Sequence, residues 1–354
     1  MTPPAVHGRE AAARITLLFL LLAGLLAALL AAALSVGSAP IPVWDAALSL
    51  LGRPLADPVW EGILWQIRLP RCLAALLAGS SLALSGLLMQ TLFRNPLAGP
   101  YSLGISSGAA LGAALVIMAG AAAPSLASAA GPAANLGVAG ASMAGAAAVM
   151  ALVLAVSRRI RENSTLLILG LMFGQIAGGL VSLLQAFSPA EQIRAFTFWS
   201  FGSFAGVTWG QMPILAGAFA LGLVAAGACV KPLNALLLGE NYARSLGVSL
   251  DRTRVLLLAG ASALAGCVTA FCGPVAFLGL AVPHICRGLF RTADHRVLVP
   301  ASVLLGAALA LGSDIAAGMP GSDRALPLNA VTALIGAPVV IRVILKSRRG
   351  GGNP

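Results

Sequence analysis

The chain has 354 residues, of which 59% are hydrophobic and only 9% charged, and its mean hydropathy is +0.94. That balance excludes an ordinary soluble globular domain and indicates a polytopic membrane protein. The formal net charge of +11 does not point to nucleic acid, because Lys and Arg are scattered through short loops, as topology signals are.

The apolar runs are continuous and mostly roughly 20 residues long, which fits helices; a transmembrane β-barrel would show short alternating segments. The first run, residues 14 to 36, follows Arg9 and Arg14 and continues past the length of a signal-peptide core without an obvious cleavage point, so it is expected to be a span. Further spans are expected at 62–92, 102–121, 137–157, 165–187, 210–230, 254–272, 275–291, 297–317 and 327–345. The expectation is an all-α polytopic membrane protein of about ten transmembrane helices. The whole chain, 1–354, reads as one transmembrane domain.

An even number of spans puts both termini on one side. With the N-terminus inside, seventeen basic residues fall in inner loops and tails, and five fall outside: Arg53, Arg68, Arg71, Arg194 and Arg324. This asymmetry predicts cytoplasmic termini and a cytoplasmic loop at 231–254.

Residues 121–136, rich in Ala, Pro, Ser and Gly, are expected to form an outer loop, and residues 188–209, with Glu191 and Arg194, a short surface helix and turn. Trp199 and Trp209 suit the membrane interface. Small-residue runs such as Gly140–Gly145 and Gly170–Gly174 suit close helix packing. Pro96-Leu97-Ala98 with Leu103-Gly104 echoes Pro274-Val275-Ala276 with Leu278-Gly279. The first copy sits at the inner end of its helix and the second at the outer end, a weak inverted repeat with interrupted helices. Chance likeness between Gly/Ala-rich segments would give the same echo.

In the loop 231–254, Gly239 and Gly247 bracket a short segment in which Tyr242 and Leu246 share one helical face and Glu240 and Arg244 another. Such a pattern reads either as a solvated connection or as a surface offered to another protein.

Few residues offer chemistry. The only lysines are Lys231 and Lys346, and neither ends a glycine-rich phosphate loop, so any ATPase driving transport is another chain. Cys72, Cys229, Cys267, Cys272 and Cys286 are odd in number and lie in or beside apolar runs, as small core residues do. Neither they nor His7, His284 and His295 show metal-ligand spacing, so no metal site and no cofactor are expected on this chain. His284, after Pro283, reads as a packed or hydrogen-bonded histidine. Asp314 is the one acidic residue well inside an apolar run. It is read as a carboxylate reaching water or capping a neighbour, or as a proton relay in a secondary transporter. Asn163-Ser164-Thr165 matches a glycosylation sequon, but on the inner side it is read as a helix cap.

The residues also resemble a family. Gln66-Ile67-Arg68-Leu69-Pro70-Arg71, Ser85-Gly86, Gln90, Asn95-Pro96-Leu97-Ala98 and Leu103-Gly104-Ile105-Ser106-Ser107-Gly108 are similar to the permease subunits of ATP-binding-cassette importers for iron chelates and cobalamin. Leu238-Gly239-Glu240, Ala243-Arg244-Ser245-Leu246-Gly247, Gly273-Pro274, Val282-Pro283-His284, Asp294-His295-Arg296 and Thr332-Ala333-Leu334-Ile335-Gly336-Ala337-Pro338 continue the likeness in order.

The resemblance implies a type II importer permease in the inner membrane: a homodimer of ten-helix subunits, two cytoplasmic ATPase subunits carrying ATP and Mg, and an outer binding protein delivering an iron siderophore, haem or cobalamin. It implies that Gly239, Glu240, Ala243, Arg244, Leu246 and Gly247 form the coupling element. Arg68 and Arg71 would meet the binding protein, and Asn95, Leu97, Ser164 and Thr165 would line the inner narrowing of the pathway. Two departures stand out. Where members often carry an arginine after the aspartate, this chain has Gly318, and an acidic position before Leu326 is Ala325. Arg324 is the candidate to take over that outer contact.

Overall fold

The computed structural model describes residues 4–37, 39–55, 57–119, 132–160, 162–318 and 325–350. The helices are α1 (Pro4–Ser35), α2 (Val43–Leu50), α3 (Pro58–Leu92), α4 (Ile105–Ala119), α5 (Pro132–Ser157), α6 (Asn163–Ala186) and α7 (Ala190–Ser200). They continue as α8 (Met212–Ala228), α9 (Val230–Leu237), α10 (Glu240–Ser245), α11 (Leu250–Cys272), α12 (Leu278–Phe290), α13 (His295–Ala317) and α14 (Leu328–Gly350).

Among the described residues, six helices are long and apolar enough to cross a membrane: α1, α3, the Leu136–Ser157 part of α5, α6, α11 and α13. The pair α8 and α9 passes as one broken span bent by 55°, and Ile105–Met118, Leu278–Phe290 and Leu328–Arg342 are shorter apolar helices. Together they match the ten expected spans. The two shortest, α4 and α12, each follow a Pro-containing turn that carries one of the echoing motifs. There Phe277 takes a left-handed conformation, and Pro100–Leu103 forms a 3-10 turn capped by Gly104 at φ +76°.

Helix α3 is the axis of the bundle. Its most apolar window is 83% buried, whereas the corresponding window of α1 is 11% buried. A helix covered on all sides can be apolar all round, and α3 packs against α8, α11, α12 and α13. Before Leu69, α3 contains a π-helical turn, Ile63–Arg68. On α5, Gly145 lies so close to α4 that a Cβ there would come within 2.1 Å of Gly108 O, so glycine at this position lets the two backbones touch.

The five cysteines are unpaired and buried, none more than 5% exposed, as small core residues. The expected surface helix is α7, at Ala190–Ser200. The expected outer loop falls mostly at residues outside the described set.

Candidate functional site

At one end of the bundle the chain leaves α8, bends, and runs through α9 into the predicted coupling segment. Gly239 has φ +111° and ψ 156°, a conformation open in practice to glycine alone. Gly247, at φ +81°, closes α10: its N–H donates to Arg244 O while the Val248 N–H donates to Ala243 O. That pair of bonds is a Schellman cap, which needs a left-handed residue at this place. Between the glycines, Ala243 is fully buried, while Tyr242 is 48% and Leu246 59% exposed. With Leu238, 67% exposed, they form an apolar surface facing away from the bundle, and Arg244 is exposed beside it.

Glu240 turns the other way. Its Oε1 accepts from Asn163 Nδ2 at 3.1 Å and lies 3.8 Å from Arg254 NH2. Asn163 also donates to Leu92 O at 3.1 Å and accepts from Arg254 NH2 at 2.8 Å. Asn163 therefore caps a helix, as the sequence suggested, but at the end of α3 and not at the start of its own helix. Its amide is spent joining α6, α10, α11 and the end of α3. This cross-link has no periodic signature, and the sequon was its only visible trace.

The last turn of α3 leads into the predicted inner narrowing. Arg94 takes a left-handed conformation at φ 49°. Asn95 Oδ1 accepts the Leu97 N–H at 2.9 Å, and the turn presents Leu97, 46% exposed. His284 Nε2 meets Pro96 O at 2.7 Å, and Arg287 donates to Gln90 Oε1 at 2.6 Å while Gln90 donates to Leu280 O. Helix α12 is thereby clipped to this turn, and His284 is a hydrogen-bonded residue, as expected. Ser164 is exposed and Thr165 half-buried on the first turn of α6, with the Thr165 hydroxyl donating to Glu162.

Two corrections arise at the opposite end. Arg68 is only 8% exposed. Its NH1 donates to Leu34 O at 2.6 Å and Ser35 O at 3.0 Å, and its NH2 to Ala39 O. The end of α1 and the chain after it leave carbonyls without helical partners, and Arg68 supplies them, so it is not an exposed docking arginine. Arg71 forms a two-point ion pair with Asp314, its side chain 34% exposed and that of Asp314 9%. Asp314 is thus an ion-pair partner, and not the carboxylate reaching water or capping a neighbour that the sequence suggested.

Gly318 ends α13, and a Cβ there would lie 3.8 Å from Arg71 NH2. An arginine at that position would compete with Arg71 for Asp314. Arg324 lies outside the described residues. Nearby, Trp209 donates to Trp65 O and Trp65 to Ser49 Oγ, which ties α2, α3 and the 201–211 turn together. Asn329 was not anticipated: it accepts the Ala276 N–H, donates to Ser200 O, and its own N–H donates to Phe201 O.

The sequence matches the FecCD transport family over residues 25–346. It is 41% identical over 290 residues to the vitamin B12 import system permease protein BtuC of Klebsiella pneumoniae, covering 81% of this chain and 84% of that protein. The protein of the same name from Escherichia coli is 39% identical over 294 residues, covering 82% and 86%. A solved structure of an inward-facing metal-chelate type ABC transporter superposes with a TM-score of 0.79 at 32% identity, covering 92% of this chain and 97% of that one. PsaBC from Streptococcus pneumoniae, at a TM-score of 0.52 and 14% identity, shares the fold.

Proposed function

The chain belongs to the FecCD transport family, as a membrane-spanning permease of an ABC importer, and on that premise we propose that it carries cobalamin inward, driven by ATP hydrolysed on two separate ATPase subunits. Two copies of the chain form the pathway, and an outer binding protein delivers the cargo. The termini and α10 face the cytoplasm, on the side where basic residues gather.

The observation that carries this reading is the α10 surface. A helix of six residues bracketed by two glycines of positive φ, with Tyr242 and Leu246 turned outward and Glu240 tied inward, has the form of a docking element. Apolar side chains exposed on an aqueous loop are stabilised by a partner that covers them. Closure of the ATPase pair then moves α10, and Asn163 passes the displacement to the end of α3 and the Asn95–Leu97 turn. The chain itself makes and breaks no covalent bond.

Cobalamin is favoured over siderophores and haem because the relatives at 39% and 41% identity are vitamin B12 permeases. The likeness to a metal-chelate transporter, at 32% identity, supports an iron chelate as the second reading. The deciding experiment is uptake into proteoliposomes holding this chain, its ATPase and its binding protein, offered cyanocobalamin, a ferric siderophore or haem, with and without ATP. ATP-dependent uptake of cyanocobalamin is expected. Uptake driven by a proton gradient without ATP would overturn the reading.

A further inference from the structure

Helix α9 is the short arm between the 55° bend and α10. Its apolar residues Leu233 and Leu236 are buried in the core, but apolar contacts carry little direction and permit sliding. Its directional tie is Asn234. The Nδ2 of Asn234 donates to Asp294 Oδ1 at 2.6 Å, which fixes the orientation of the amide, since a carboxylate needs a donor. Asn234 Oδ1 then accepts two bonds from His295, one from its backbone N–H at 2.9 Å and one from Nδ1 at 2.7 Å.

The proton of the imidazole therefore sits on Nδ1, and the other nitrogen, Nε2, is an acceptor. It lies 2.8 Å from the Thr91 hydroxyl. The same hydroxyl can also donate to Leu87 O of its own helix at 3.0 Å, but an unprotonated Nε2 can only accept, so the contact with His295 is a hydrogen bond only when the Thr91 proton points to it. So pointed, the Thr91 hydroxyl donates to His295, which is fully buried. A chain of hydrogen bonds runs from α9 through the first residue of α13 to the last turn of α3.

This chain ends one residue from Leu92, whose carbonyl takes the Asn163 bond. Two polar connections from the coupling arm, one through His295 and one through Asn163, arrive at adjacent residues of α3. Both stand immediately before the Phe93–Ala98 turn.

Resting on the reading of α10 as the ATPase-docking element, we infer that His295 is a positioning residue that relays displacement of α9 to the end of α3, with Asn234 as its input and Thr91 as its output. The imidazole is rigid and bonded at both nitrogens, so it transmits a push that apolar packing alone would absorb. The turn that presents Leu97 then moves with α9.

Thr91→Val tests this, because it keeps the side-chain shape and removes the hydroxyl, while Thr91→Ser keeps the hydroxyl. In proteoliposomes with the ATPase and binding protein, cyanocobalamin moved and ATP hydrolysed are measured in the same vesicles. Thr91→Val is expected to move about fivefold less cargo per ATP, the loss of one hydrogen bond's worth of coupling, and Thr91→Ser to recover the ratio. An unchanged ratio in Thr91→Val overturns the relay, since a purely structural contact lowers the amount of active complex and leaves cargo per ATP alone. Should Thr91→Val fail to assemble, Asn234→Ser is read by the same ratio and the same criterion. Wild-type vesicles that move none of cyanocobalamin, a ferric siderophore or haem with ATP would overturn the proposed function and the relay with it, an outcome distinct from a normal wild type beside an unchanged variant.

Discussion

Arg71 and Asp314, 243 positions apart in the chain, meet in a two-point ion pair, Nε to Oδ2 at 2.7 Å and NH2 to Oδ1 at 3.0 Å. The pair pins the start of α3 to the end of α13. Removing one partner leaves the other charge poorly solvated. Because the arginine is a third exposed, the expected loss for Asp314→Ala is about 1–3 kcal/mol, below the range for fully buried pairs. Thermal unfolding of the purified protein measures it, and Arg71→Gln with Asp314→Asn together should cost less than the sum of the single changes. Additive losses would show that the two residues do not couple.

The same pair bears on Gly318. Placing a guanidinium there, as Gly318→Arg, is expected to draw Asp314 away and free Arg71. Binding-protein affinity at low salt should then rise, while Arg71→Glu should lower it. Titration of the binding protein on detergent-purified permease at two ionic strengths reads both. Equal affinity in all three proteins would remove Arg71 from the docking surface.

Arg68 behaves differently. Arg68→Ala strips hydrogen bonds from the carbonyls of Leu34, Ser35 and Ala39, with an expected cost of about 2–4 kcal/mol and little recovery in Arg68→Lys, whose single ammonium does not fork. The comparison is made by yield of folded protein and unfolding midpoint. A fully stable Arg68→Ala protein would contradict the clamp.

Gly239 and Gly247 are open to a graded test. A Cβ at either meets nothing within 4 Å, so substitution acts through backbone conformation alone. Asn at 247 is expected to be tolerated, because asparagine enters the left-handed region. Ala or Asn at 239 should reduce ATP-driven uptake at least about fivefold without loss of membrane protein, because φ +111° with ψ 156° suits glycine alone. Unchanged uptake by Gly239→Ala would dissociate this turn from coupling.

Asp294 sets an acid limit. The Arg296 N–H, the largest influence, holds its carboxyl below the ordinary value of 3.8; burial opposes it, and the Asn234 amide adds to the lowering. Its stabilising contribution is complete above that value and is lost as pH falls through the lower native one. Melting profiles of wild type and Asp294→Asn should therefore differ at neutral pH and converge in strong acid. Parallel profiles would show that Asp294 contributes nothing through its charge.

The spans were legible because each is a local property: roughly 20 apolar residues announce themselves wherever their partners lie. The short helix α10 was legible for the same reason, as Gly239, Gly247, Tyr242 and Leu246 all fall within nine residues. Arg68 and Asp314 were not, because their roles depend on what stands opposite them. Arg68 serves carbonyls near residue 35, and Asp314 an arginine on another helix. The Asn163–Glu240–Arg254 junction and the His295 contacts join residues far apart in sequence through single side chains, and no periodicity encodes such pairings.

Because the five native thiols are all enclosed in the bundle, the natural protein already provides a background on which an introduced cysteine is the reactive one. A cysteine at Tyr242 or Leu246 would take a membrane-impermeant maleimide without any prior replacement. Labelling from one face of sealed, oriented vesicles would report which compartment the helix occupies, and shielding from the reagent would report when a partner sits on it.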